Sequence, residues 1–323
     1  MISTICNVFS CGCCNTTTFE NELTNENEYK TEYDNKEAKK IKEIKELKNE
    51  YELPFTTTAL ISKGAYGKVF RGIYKKKQTN TLCAIKQIEE SKFYKNEYRV
   101  AYLASKNNSF RLCNLWDIYK YDSKYFLIYQ KYNRGDLFDY CTKRIIPYYD
   151  VKYLVRQILY CVKELHELGF VHLDLKLENF LISDNGKIIL TDFGCCHKLH
   201  SNTNMIAPTK FRVGTYSYIA PELNLHYYSE KTDVWAIGVC IYVLLTKQPL
   251  YYNLIDFMKQ HTDNNDVFKI KTLHLLNDPD NLESLIIKMI EPIIKKRISI
   301  EDSIKHIEKM DEIIMFDEEP LTF

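Results

Sequence analysis

Three side chains, Asp174, Asn179 and Asp192, are spaced in a way that could do chemistry. Asn179 follows Asp174 by five positions, and from Asn179 to Asp192 the chain reads FLI, then SDNGK, then IIL. Two short apolar runs around an Asp-Asn-Gly turn predict a hairpin that returns Asp192 to the neighbourhood of Asp174. Asn179 offers a neutral oxygen and Asp192 a hard carboxylate, a pair suited to magnesium held against phosphate oxygens. Asp174 is then free to act as a base. Two surface aspartates beside a structural Asn are the bland alternative for either half alone.

The elements that must position these residues can be read on both sides. From Phe55 the pattern is that of strands, FTTTALISKGAYGKVFRGIYKK and then TLCAIKQI. Gly64 and Gly67 interrupt the β-rich run where a turn would lie, and glycine there lets backbone N-H groups approach phosphates. Lys86 sits in an otherwise apolar strand, a poor place for an idle surface lysine. A helix over KNEYRVAYLASK follows and contains Glu97, and then come the strands LWDIYKY and YFLIYQ. Tyr149 to Leu168 has helical spacing, with Leu154, Ile158, Cys161, Val162 and Leu165 on one face and Gly169 as its cap. Val234 to Leu245 is the most apolar window, shorter than the roughly 20 residues a membrane span needs, and reads as a buried helix.

The stretch HLDLKLEN with DFG at this distance resembles the catalytic loop and metal-binding turn of the eukaryotic Ser/Thr protein kinases, and GTYSY, then APE at Ala220–Glu222, then DVWAIG follow in the family's order. The resemblance covers roughly residues 55–310. It implies an α+β fold of two lobes, a small β-rich N-terminal one and a larger helical one, using ATP with Mg2+, or Mn2+ in its place, on protein substrates with Ser or Thr acceptors. By the same resemblance Asp174 is the base, Lys176 and Thr215 its companions, and Asn179 and Asp192 the metal ligands. Gly64, Gly67, Val69, Ala84 and Lys86 would surround the nucleotide, with Ser62 where the first loop glycine usually stands. Glu97 would orient Lys86 or else be a solvated helix residue. Tyr129 would stand behind the adenine and Gln130 to Tyr132 would present backbone groups to it. Asp136 would reach the ribose or, together with Glu178, a basic substrate residue. Asp233 would face the catalytic loop and Arg297 would pair with Glu222. Leu173 stands where many relatives carry Arg, and Phe211 where they carry the phosphorylated residue. Both departures imply activity without activation-loop phosphorylation. The competing implication is a kinase-fold scaffold that binds partners without useful catalysis.

The composition bounds the rest. With 323 residues and 45% apolar content the chain can bury a full core. Its 44 basic and 43 acidic side chains leave a formal charge of +1, which gives no reason to expect nucleic acid as a partner. Eleven cysteines, an odd number, without a signal-peptide pattern argue for reduced thiols in a cytoplasmic protein. The abundance of Asn, Lys, Tyr and Ile matches the bias of an AT-rich genome, and nothing in it speaks to oligomeric state. Residues 1–35 read as a disordered, Cys-containing tail. Ile2 excludes N-myristoylation, and the CxCC spacing argues against zinc. Palmitoylation, with peripheral membrane association, and an inert tail both stay open. Residues 36–54 show Ile41, Ile44, Leu47 and Tyr51 at three- and four-residue steps among Lys and Glu, which predicts an amphipathic helix, either solvated or docked. Residues 311–323 form an acidic tail with Phe316 and Phe323.

Overall fold

The structure is a computed structural model that describes residues 42–43, 51–52, 57–64, 67–75, 81–199, 214–225, 227–251 and 282–312. They fall into two units. One comprises the chain to Phe93 with Leu115–Lys131, and the other Tyr94–Asn114 with everything from Tyr132.

The first unit is built on an antiparallel sheet of β3 (Leu60–Lys63), β4 (Lys68–Tyr74), β5 (Thr81–Glu89), β6 (Leu115–Tyr121) and β7 (Lys124–Gln130). Its central strand β5 pairs with β4 on one side and β7 on the other, so Lys86 lies opposite both Val69 and Leu127. Because side chains alternate across a pleated strand, Val69, Ala84 and Lys86 share one face. On the other, Cys83, Ile85, Phe126 and Ile128 form a core with Tyr51 and Tyr119.

Tyr51 corrects the reading of residues 36–54 as one amphipathic helix. Lys42–Glu43 forms a strand, β1, parallel to β6, and Tyr51–Glu52 forms another, β2, antiparallel to β4. The other residues of that span lie outside the described ones. Local periodicity favours a helix there, but Tyr51 stacks on Tyr74 with ring centroids 4.9 Å apart, meets Tyr119 edge-on, and donates its hydroxyl to Asp117 Oδ2 at 2.7 Å. Long-range burial of this kind outweighs helix propensities of a few tenths of a kcal/mol per residue. Burial and the Asp117 carboxylate also push the Tyr51 hydroxyl pKa far up.

The second unit is helical: α1 (Lys95–Lys106), α2 (Leu137–Thr142), α3 (Tyr148–Glu167), α4 (Glu230–Thr246), α5 (Leu282–Met289) and α6 (Ile300–Glu312). Two small antiparallel pairs accompany them, β8 (Phe170–Val171) with β11 (His197–Lys198), and β9 (Phe180–Ile182) with β10 (Ile188–Leu190). α4 is apolar all round and buried from Val234 to Tyr242, as a helix packed on several sides requires. α3 turns its expected face inward, with Leu154, Ile158, Cys161, Val162 and Leu165 at 0% exposure, and Gly169 closes it at φ +83°. No described helix is long and apolar enough to cross a membrane. The seven described cysteines are free and buried, and burial pushes the Cys113 and Cys161 thiols up to about 12, which makes them inert at neutral pH.

Candidate active site

The hairpin of β9 and β10 forms as its sequence implies, with Phe180 opposite Leu190. The Thr191 N-H donates to the Asn179 carbonyl at 2.9 Å, so the residue before Asp192 is tied to Asn179. Asn179 is buried, and its Nδ2 donates to the Asp174 carbonyl at 2.8 Å, which leaves Oδ1 as the atom able to ligate. Asp192 is half-buried in a left-handed conformation, φ 62° and ψ 67°. An amide oxygen and a carboxylate on one hairpin suit a hard cation such as Mg2+.

Asp174 is held from several sides. Thr215 Oγ1 donates to its Oδ1 at 2.7 Å, Lys176 Nζ donates to its Oδ2 at 3.2 Å, and Lys176 Nζ also donates to Thr215 Oγ1 at 2.9 Å. The three residues therefore close a triangle. The loop beneath is fixed by Asp233 of α4, whose carboxylate accepts the backbone N-H groups of His172 and Leu173 at 2.8 and 2.9 Å. Leu173 has φ +63°, unusual for a side chain with a Cβ and costing of order 1–3 kcal/mol. Its side chain is buried, and a Cβ on Gly214, itself at φ +92°, would come within 2.6 Å of its carbonyl oxygen. Glycine is thus required immediately before Thr215, where the chain passes closest to the loop.

Several site features escaped the sequence reading. His166, on α3, bonds Asp233 Oδ2 through Nε2 at 2.8 Å, a partnership that no local pattern could announce across so long a separation. His172 Nδ1 accepts from the Asp174 N-H at 3.3 Å, so Nε2 carries the proton and donates to the Thr191 carbonyl at 3.1 Å, joining loop to hairpin. Asp136 serves the local structure as the N-cap of α2, its Oδ1 accepting from the Asp139 N-H at 2.8 Å. Its place just before an apolar helical run was the signal for that. Glu178 is exposed, yet its pKa is raised, first by desolvation and then by the charges of Asp136 and Asp174, opposed by Lys176.

In the first unit, Gly64 N-H donates to the Gly67 carbonyl at 2.9 Å, and a Cβ on Gly67 would collide with the Gln87 carbonyl oxygen. Gly67 is needed for this close approach to β5 whatever the turn binds. Val69 and Ala84 are half-buried, Lys86 and Tyr129 are buried, and Gln130 ends β7 with its side chain exposed. In the second unit, Tyr132 is half-buried and Glu97, in the first turn of α1, is only 1% exposed. That burial overturns the alternative of a solvated Glu97. Asn96 beside it donates to the Cys196 carbonyl at 3.2 Å, linking α1 to the segment after Asp192.

Residues 55–307 match the family model of the protein kinase domain. The chain belongs to that family. Calcium-dependent protein kinase 5 of Plasmodium falciparum is 29% identical over 258 residues, 76% of this chain and 43% of that relative. Calcium-dependent protein kinase 5 of Plasmodium berghei is 31% identical over 216 residues, 64% of this chain and 37% of the relative. Serine/threonine-protein kinase PSK2 of Saccharomyces cerevisiae is 27% identical over 224 residues, 64% of this chain and 20% of its own length. The chain thus spans less than half the length of these curated relatives. Its α+β fold, with a β-sheet unit and a helical unit, is the bilobal kinase fold. Within the kinase domain, Glu222 and Arg297 form the expected bidentate pair, NH1 to Oε1 at 2.6 Å and NH2 to Oε2 at 2.9 Å. Phe211 lies outside the described residues.

Proposed function

We propose that the chain is an ATP-dependent serine/threonine protein kinase whose activity does not depend on a phosphate on its activation segment. The observation that carries this is the closed triangle of Asp174, Lys176 and Thr215 beside Asn179 and Asp192. Asp174 accepts the proton of the substrate hydroxyl through an oxygen whose position Thr215 and Lys176 fix. Lys176, steadied by two acceptors, places positive charge beside the transferring phosphoryl group. Asn179 Oδ1 and the Asp192 carboxylate would hold Mg2+, or Mn2+, which neutralises phosphate charge when bound. Lys86, on the face shared with Val69 and Ala84, would contact nucleotide phosphates, and Glu97 is the acid that the kinase resemblance assigns to it. Gly64 and Gly67 shape the turn above them, while Gln130 and Tyr132 supply backbone groups to the base.

Independence from phosphorylation is supported by Leu173, an apolar buried side chain where an Arg would be needed to read a phosphate. Protein made in bacteria and treated with phosphatase should phosphorylate a Ser/Thr peptide with Mg-ATP as fast as untreated protein. A large loss, mapped to Thr209 or Ser201, would refute the independence. Silence of both samples, with nucleotide still bound, would favour the scaffold alternative. Acylation of Cys11, Cys13 and Cys14 would add membrane attachment to a cytoplasmic protein. If the triple Cys-to-Ser variant fractionates like the parent in its native cell, that part fails.

A further inference from the structure

Away from the Asp174 cluster, the second unit has a cavity of about 580 Å³ between the C-terminal end of α2, the N-terminal end of α3 and the C-terminal end of α4. Its wall is apolar in Ile145, Ile146 and Val151, and its rim carries Lys143, Arg144 and Lys247. Ile145 is 98% exposed, an isoleucine held out into solvent on the loop between two helices. Of the rim cations, Lys143 is paired with Asp139 at 2.8 Å, and Arg144 lies over the Tyr140 ring at 4.5 Å. Lys247 ends α4 in a left-handed conformation at φ +58°. An apolar hollow with three cations at its mouth selects an occupant that is both apolar and acidic.

A segment of that kind follows α6 in the chain. Residues 313–323 read IIMFDEEPLTF, five large apolar side chains at Ile313, Ile314, Met315, Phe316 and Leu321 before a final Phe323, with three acids and no base. They follow directly on α6, which packs on α3. Near its start, Glu301 acts on the charge of Lys163, and further along Glu308 accepts the Tyr160 hydroxyl. α6 therefore runs against the direction of α3, its last residues heading toward the end of α3 that borders the cavity. From Tyr160 to Val151 is nine residues of α3, about 13 Å of helix. Eleven residues of extended chain reach up to about 36 Å, ample for the remaining distance.

We propose that this cavity is the docking site of the chain's own residues 313–323. Ile314 and Phe316 enter the hollow, and Asp317, Glu318 and Glu319 meet Lys143, Arg144 and Lys247 at its mouth. The contact does not depend on the catalytic reading of the Asp174 cluster. The test uses the full chain with a photo-crosslinking phenylalanine analogue at position 316, in a mixture of isotopically light and heavy protein. Crosslinks within one chain to 141–151 or 244–247 are expected. The triple variant Lys143→Glu, Arg144→Glu, Lys247→Glu should reduce them by about fivefold or more, because exposed ion pairs are individually weak and three are lost together. Hydrogen exchange supplies a second measurement that cannot be confused with misfolding. The tail variant Ile314→Ser, Phe316→Ser should speed exchange at 141–151 and 244–247 while leaving α3 beyond Leu154 unchanged. Crosslinks joining light to heavy chains, crosslinks only to residues 252–281, or yields and exchange rates indifferent to both variants would overturn the proposal.

Discussion

Two acidic clusters in the helical unit use similar residues to opposite ends. Around Glu222 everything is closed: Arg297 is 1% exposed, grips both carboxylate oxygens, donates Nε to the Glu291 carbonyl and NH1 to the Lys231 carbonyl, and lies 5.0 Å above the Trp235 ring. The Thr232 hydroxyl adds a further bond to Glu222 Oε1 at 2.9 Å. Around Asp174, Lys176 is 22% exposed and its bond to the carboxylate is long, at 3.2 Å. The neighbouring backbone holds two non-glycine residues, Leu173 and Asp192, at positive φ. The first cluster commits its donors to keeping its shape, whereas the second leaves Lys176 partly exposed beside a buried carboxylate and stores strain next to them. Strained conformations persist only where the surroundings over-determine them, and at Leu173 Asp233 does so through the backbone N-H groups of His172 and Leu173.

The contrast is broken most sharply by removing charge from each centre in turn. Asp174→Asn should lower turnover of a peptide by about 10²- to 10⁴-fold, the usual contribution of a general base, with the thermal midpoint nearly unchanged. Appreciable residual turnover would take the base role away from Asp174. Arg297→Ala should do the reverse. It leaves Glu222 charged and buried, at a cost of about 3–5 kcal/mol in denaturant unfolding, while the fraction that remains folded turns over normally. If instead the midpoint barely moves, the pair is not holding the fold.

A finer division concerns substrate choice. Glu178→Ala should remove a preference for Arg two or three residues before the acceptor, a charge-assisted bond of roughly 1.5–3 kcal/mol, and leave a neutral peptide unaffected. Equal losses on both peptides would mean that Glu178 supports the loop. The sign with pH follows from its raised pKa: the carboxyl loses its charge at a higher pH than an ordinary glutamate as acid is added. The basic preference should fade earlier than that of a Glu in water, and parallel profiles for basic and neutral peptides would contradict it. The smallest effect belongs to the other unit. Tyr51→Phe should cost about 1.5 kcal/mol by removing the bond to Asp117, with peptide turnover preserved in the folded protein. A loss of turnover without a loss of stability would place Tyr51 in the reaction.

Much of the candidate site was legible because its parts are local. The turn SDNGK between apolar triplets could hardly be anything but a hairpin, and its register alone carries Asn179 toward Asp192. Kinase resemblance supplied what spacing could not, the arrival of Thr215 at Asp174 and of Arg297 at Glu222. What stayed hidden was set by tertiary contact. His166 meets Asp233 only because α3 and α4 pack together, and Leu173 adopts its left-handed backbone because Asp233 fixes two successive N-H groups. Tyr51 fitted a helical stripe by spacing, and nothing in its neighbours revealed that Tyr74 and Tyr119 would bury it.

The pairing of β1 with β6 has a practical bearing on where this kinase domain can be cut. Without Lys42–Glu43, β6 would be the end strand of the sheet order, and a bare strand edge offers N-H and C=O groups to the next molecule that approaches it. A chain begun at Phe55, the first residue of the family match, would lose that guard together with Tyr51, opening the aromatic core face that Tyr51 covers. Such a shortened protein would be prone to self-association through the sheet, while one begun ahead of Lys42 would keep its edge covered.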